Sequence, residues 1–133
     1  LPMPLVVGNL KRLELFRNDT SFKDDLWKIA DALQAGLKAE GFNLGETDSQ
    51  VTPVILRGGP FEAANVVTDL RENYAIFCSL VTYPVVPKDV ILLRLIPTAV
   101  HTLEDVDYTV GVFKKIKAKL ERGEYDKEKV VFA

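Results

Sequence analysis

The chain has 133 residues, of which 47% are hydrophobic and 27% charged, with a single cysteine. That composition suits one globular domain and excludes a disordered segment, a collagen-like fibre and a disulfide scaffold. A net charge of −2, from 17 Lys+Arg against 19 Asp+Glu, leaves no basic excess for nucleic acid, and no run reaches the roughly 18 apolar residues of a membrane span.

The chain opens on Leu1 in an apolar run and closes on Val130, Val131, Phe132 and Ala133. Termini are usually polar, so the expectation is a portion of something longer. Leu5, Val6, Leu10, Leu13 and Phe16 recur at helical spacing, and Pro4 suits a first turn. Asn18, Asp19 and Thr20 break that helix. Ser21 and Asp24 have the spacing of a capping box. Phe22, Leu26, Ile29, Ala30, Leu33 and Leu37 then draw one apolar stripe along an amphipathic helix that ends at Gly41. Residues 42–50 read as polar and turn-rich. Residues 51–56 are short, apolar and β-branched, hence a strand, and Pro53 pushes it to an edge or a bulge because it cannot donate to a ladder.

Arg57, Gly58, Gly59 and Pro60 read as a turn. Pro60 or Phe61 opens a further helix with Ala63, Val66, Val67 and Leu70 inward, stopping near Asn73. Residues 75–81 read as a second strand, 82–88 as a stiff loop around Pro84 and Pro87, and 90–96 as a third strand. Thr102 and Asp105 form another capping-box pattern, and Val106, Val110, Phe113, Ile116 and Leu120 trace the last helix to Gly123. Residues 124–129 read as a solvated charge run. The order α-α-β-α-β-β-α predicts an α+β domain. Its small sheet is three- to four-stranded and mainly antiparallel, with helices packed on one face and two helices leading. Residues 1–41 are then the leading helices, 42–123 the body and 124–133 a tail.

Little chemistry is expected from such a chain alone. His101 is the only histidine and falls just before a helix cap, where it reads as structural. Cys78 lies in an apolar run and reads as a small core residue. One Cys and one His are too few for a zinc site. Gly58 and Gly59 lack the pattern of a phosphate loop. Asp24–Asp25 and Glu104–Asp105 fall at helix starts, where the helix dipole favours negative charge. Arg94 stands apart, since residues 90–96 are otherwise apolar. An unpaired buried guanidinium is costly, and three explanations compete. Arg94 pairs with Glu104 or Asp105, or it snorkels from a sheet edge, or it is held for an anionic ligand whose carboxylate its planar fork matches.

Three segments carry a resemblance. They are Val81, Thr82, Tyr83, Pro84, Val85, Val86, Pro87 and Lys88; then Leu92, Leu93, Arg94 and Leu95; then residues 98–107, with Ala99, Val100, His101 and Thr102 at their centre. Together they resemble the C-terminal domain of the α-oxoamine synthases, pyridoxal-phosphate-dependent acyltransferases of the fold-type-I aminotransferase class. The resemblance extends over nearly the whole chain. It implies an enzyme that condenses an amino acid with an acyl-CoA and loses CO2, acts as a homodimer and uses pyridoxal phosphate in its full-length form; the single cysteine suits a reducing compartment, so a cytoplasmic location is expected. It implies that Arg94, seven residues before His101, holds the substrate α-carboxylate. It also implies that the family's Schiff-base lysine, its aspartate under the pyridine nitrogen and its stacking histidine lie upstream of Leu1. No catalytic, cofactor-binding or metal-binding residue is therefore expected in this chain, which alone should be inert and free of the cofactor.

The match has departures. Asp89 stands where the family has glycine, Leu92 where several relatives have a second arginine, and Thr82 where bacterial serine palmitoyltransferases tend to have arginine. Two other functions fit the same residues: a free-standing module binding an anionic metabolite or a partner through Arg94 and the proline loop, and the small domain of an aminotransferase. In the parent enzyme the helix over residues 5–16 and one sheet face are expected to pack on the large domain, so the isolated chain should self-associate through apolar surface.

Overall fold

The computed structural model describes residues 2–126. Helix α1 (Met3–Asn18) carries a proline in its first turn, as Pro4 predicts, yet it buries none of its side chains. Leu5, Leu10, Leu13 and Phe16 are all exposed.

Of the expected stripe, helix α2 (Ser21–Ala39) buries Ile29, Ala30, Leu33 and Leu37, while Leu26 is half-buried and Phe22, in the first turn, is exposed. Its N-terminus corrects the expected box. Ser21 is already helical and Thr20 is the cap residue. The Thr20 hydroxyl donates to the Asp24 carboxylate at 3.0 Å, while Asp19 accepts from the Ser21 N–H at 2.8 Å. Gly41 follows the helix at φ 74, a left-handed conformation that costs glycine little. Phe42 and Leu44 then insert into the core from a stretch that reads as polar.

Strands β1 (Thr52–Arg57), β2 (Ser79–Val81) and β3 (Val90–Leu95) form an antiparallel sheet in the order β1-β3-β2. The edge position of β1 explains Pro53. Ile55 donates its N–H outward to the Asn43 carbonyl at 2.8 Å. Backbone groups alternate sides along a strand, so residue 53 also points away from β3, where a missing N–H costs the sheet nothing. Strand β2 is shorter than the expected 75–81. Ala75 turns left-handed at φ 54 to close the preceding helix, and Phe77 is exposed, so pairing starts only at Ser79.

Helices α3 (Pro60–Tyr74) and α4 (Leu103–Glu121) join α2 over one face of the sheet. There Val54, Ile91, Leu93 and Leu95 form one core with Val66, Leu70, Phe113 and Ile116. Phe113 is fully buried and stands edge-on to Phe42, with ring centroids 5.8 Å apart at 82°. The capping box of α4 is as expected. Asp105 accepts from the Thr102 N–H at 2.8 Å and returns its own N–H to the Thr102 hydroxyl at 3.2 Å. No helix among the described residues is long and apolar enough to cross a membrane.

The charge run after α4 begins inside the fold. Tyr125 is buried, and its hydroxyl donates to the carboxylate of Asp69 on α3. Asp69 also accepts from Lys119 Nζ at 2.7 Å and from Asn73 Nδ2 at 2.6 Å. The rest of the run and the apolar end, residues 127–133, lie outside the described residues.

Burial pushes the Asp69 carboxyl up, but hydrogen bonds from Lys119, Tyr125 and Asn73 outweigh it and hold it below the usual carboxylate range. A carboxyl more acidic when folded stabilises the fold above its unfolded value of 3.8 and stops doing so as pH falls through its folded value. Lys119 behaves oppositely. Its hydrogen bond to Asp69 raises it, so its contribution is complete below 10.5 and is lost as pH rises through the folded value. Melting temperature is therefore expected to drop below pH 3.8 more steeply in the wild type than in Asp69→Asn. Thermal melts across the acid range check this, and parallel acid limbs would show that Asp69 is not the group responsible.

Candidate functional site

Strand β3 is the central strand and alternates sides: Ile91, Leu93 and Leu95 enter the core, while Leu92, Arg94 and Ile96 take the opposite face. Among the described residues no helix covers that face, and Arg94 is exposed on it. Register places Arg94 between Pro53 of β1 and Ser79 of β2. Its Nε donates to Ser79 Oγ at 3.0 Å. Neither terminal nitrogen of the guanidinium has a partner among the described residues.

This arrangement corrects two of the three explanations for Arg94. It does not snorkel from an edge, because β3 is paired on both sides. It forms no ion pair with Glu104 or Asp105; the Asp105 carboxylate is instead engaged by the N–H and hydroxyl of Thr102, at 2.8 and 2.9 Å. Those bonds hold the Asp105 carboxyl below its usual range, with a smaller effect from nearby His101. What remains is a cationic fork with no carboxylate partner among the described residues.

His101 follows the strand in the turn before α4. The Thr98 N–H donates to its Nδ1 at 2.9 Å, with the Thr98 hydroxyl at 3.1 Å. A backbone N–H can only donate, so the neutral ring keeps its proton on Nε2. His101 also lines a cleft of about 610 Å3 with Ile29, Phe77, Ile96 and Tyr108, where β3 ends against α2 and α4. No lysine lines this cleft. Cys78 is buried, as expected, and burial pushes its thiol up to about 11, which removes it as a nucleophile near neutral pH. Among the described residues no group of His, Cys, Asp and Glu could hold a metal ion. In the proline loop the Tyr83–Pro84 peptide is cis, and Lys88 Nζ lies 5.5 Å from the centre of the Tyr83 ring. Asp89 takes φ 65, the conformation that glycine adopts freely, which accounts for a glycine at that position in the family it resembles.

No protein-family model matches the chain. Individual proteins do. The chain is 52% identical over 125 residues to a cysteate-C-fatty acyltransferase of Capnocytophaga ochracea, covering 94% of this chain and 30% of that protein. The chain is homologous to the C-terminal part of the α-oxoamine synthases. An 8-amino-7-oxononanoate synthase of Exiguobacterium sibiricum is 30% identical over 120 residues, 90% of this chain and 30% of that enzyme. Among solved structures, a serine palmitoyltransferase from S. paucimobilis with bound PLP–myriocin aldimine superposes with a TM-score of 0.64 at 28% identity, covering 76% of this chain and 25% of that one. The chain thus spans about 30% of the length of the curated α-oxoamine synthases it matches.

Arg94 was legible in the sequence as the odd charge of its strand, but Ser79 was not. A serine is common on any sheet surface, and only the register of the β2–β3 hairpin puts it opposite Arg94.

Proposed function

We propose that this chain supplies the substrate-carboxylate arginine of a pyridoxal-phosphate-dependent acyltransferase, which condenses an amino acid with an acyl-CoA and releases CO2. The observation that carries this is Arg94, whose guanidinium lies on the exposed face of the sheet with both terminal nitrogens unpartnered among the described residues. A planar fork of that kind binds a carboxylate through two parallel hydrogen bonds. Covering the face by the rest of the parent enzyme would exclude water and strengthen that pairing.

The residues present do not make a cofactor site by themselves. The cleft beside β3 offers no lysine amine, and pyridoxal phosphate chemistry needs one for its Schiff base. The cofactor is accordingly assigned to the part of the parent outside this chain. The amino acid is proposed to be cysteate and the donor a fatty acyl-CoA, in line with the relative at 52% identity. The parent is proposed to work as a homodimer, in keeping with the family resemblance, and in the cytoplasm, in keeping with the single cysteine.

The test is an assay of the full-length protein, loaded with pyridoxal phosphate, on palmitoyl-CoA with cysteate, serine or alanine. Free CoA and CO2 are expected in equal amounts, fastest with cysteate. Conversion of the amino acid to its 2-oxo acid without CoA release would identify an aminotransferase. Inertness towards every pair would favour a binding module.

A further inference from the structure

The geometry points to Ser79 as a positioning residue that fixes the plane in which Arg94 receives the substrate carboxylate. This rests on the role proposed above for Arg94 and adds to it a definite mode of binding.

A guanidinium can meet a carboxylate in two bidentate ways. One uses the two terminal nitrogens, end-on. The other uses Nε and one terminal nitrogen, side-on. In this structure Nε is already committed to Ser79 Oγ at 3.0 Å, so only the end-on pair is left. Ser79 is well placed to hold it. It is the direct cross-strand partner of Arg94, and such pairs bring their side chains within reach of each other. Its neighbours fix its backbone: Cys78 is buried and Leu80 packs against the core. On the other flank, Arg94 faces Pro53, whose side chain has no polar atom and cannot compete for the guanidinium. A hydroxyl on one side and an apolar ring on the other thus orient a side chain that is otherwise free to rotate about four bonds.

The consequence concerns turnover more than affinity. Without the hydroxyl, Nε becomes free and side-on pairing competes with end-on pairing. The carboxylate is still held by two hydrogen bonds, but the atoms attached to it are displaced. A misplacement of roughly 1 Å can cost about a hundredfold in rate.

The experiment uses the full-length protein with Ser79→Ala, Ser79→Thr and Arg94→Ala. Ser79→Ala is expected to lower kcat at least about tenfold while amino-acid affinity changes by less than about threefold. Ser79→Thr keeps the hydroxyl and is expected to restore kcat to within about threefold of the wild type. A second readout is independent of activity: the Arg94 Nε–H resonance in nitrogen-15 spectra should move in Ser79→Ala and stay near its wild-type position in Ser79→Thr. A wild-type kcat in Ser79→Ala would overturn the proposal. So would a Ser79→Thr variant as slow as Ser79→Ala, because a structural defect would then account for both. Arg94→Ala separates the two levels of the argument. If it binds the amino acid as tightly as the wild type, the role of Arg94 fails and that of Ser79 falls with it. If it loses binding while Ser79→Ala turns over normally, only the role of Ser79 is overturned.

Discussion

Replacing Arg94 with alanine in the full-length protein is expected to weaken amino-acid binding by about 2–4 kcal/mol, the range for removing one partner of a desolvated, hydrogen-bonded charge pair. The size follows from what is left behind, a carboxylate in a covered site with no cation to meet it. Arg94→Lys should fall between alanine and wild type, because an ammonium restores the charge without the two-pronged geometry. Affinity for the acyl-CoA should change far less, since a single cationic fork matched to the amino-acid carboxylate has no further donor pair for a second ligand. Titrating the amino acid against each variant measures these differences. Intact amino-acid affinity together with a lower melting temperature would make Arg94 a structural residue of the sheet.

The second large effect concerns stability. Phe113 is fully buried and packs edge-on against Phe42, itself contributed by the turn after α2. Phe113→Ala removes that pair and opens a cavity at the junction of sheet and helices, at a cost of about 3–5 kcal/mol. Total stabilities of small domains are about 5–15 kcal/mol, so the variant should unfold at a much lower urea concentration. The slope of the transition should stay constant, because the surface exposed on unfolding is nearly the same. A loss below about 1 kcal/mol would mean that the core closes around the gap.

The parts of the fold that periodicity could show are those whose signal is local. The α2 stripe from Ile29 onward, the α4 capping box and β3 each depend on residues a few positions apart, and each formed as its spacing predicts. The misplaced parts depend on distant partners. Tyr125 sits in a charged stretch, yet it joins the core and donates its hydroxyl to Asp69, 56 positions away. Phe42 and Leu44 are isolated apolar residues in a polar turn, and no repeat marks them as core. Residues 75–78 carry strand-like composition, but the left-handed turn at Ala75 takes them out of the ladder. The same distinction holds at the site. Arg94 contrasts with its immediate neighbours and was visible. Its freedom from Asp105 was not, because that carboxylate serves its own capping box at close range.

The two ends of the sheet bear on how copies of this chain meet one another. An unpaired strand edge is a template for a strand of a second molecule, and long flat edges of that kind seed fibrils. Here β1 is capped by the Asn43–Ile55 bridge and carries Pro53 on its outward side, while β2 offers only three residues. Neither is a good template. Exposed apolar side chains lie on α1, at Leu5, Leu10, Leu13 and Phe16, and also beyond it, at Phe77, Val85, Ile96 and Val100. Self-association of this chain is therefore expected to proceed by packing of exposed apolar side chains, without open-ended pairing of strand edges.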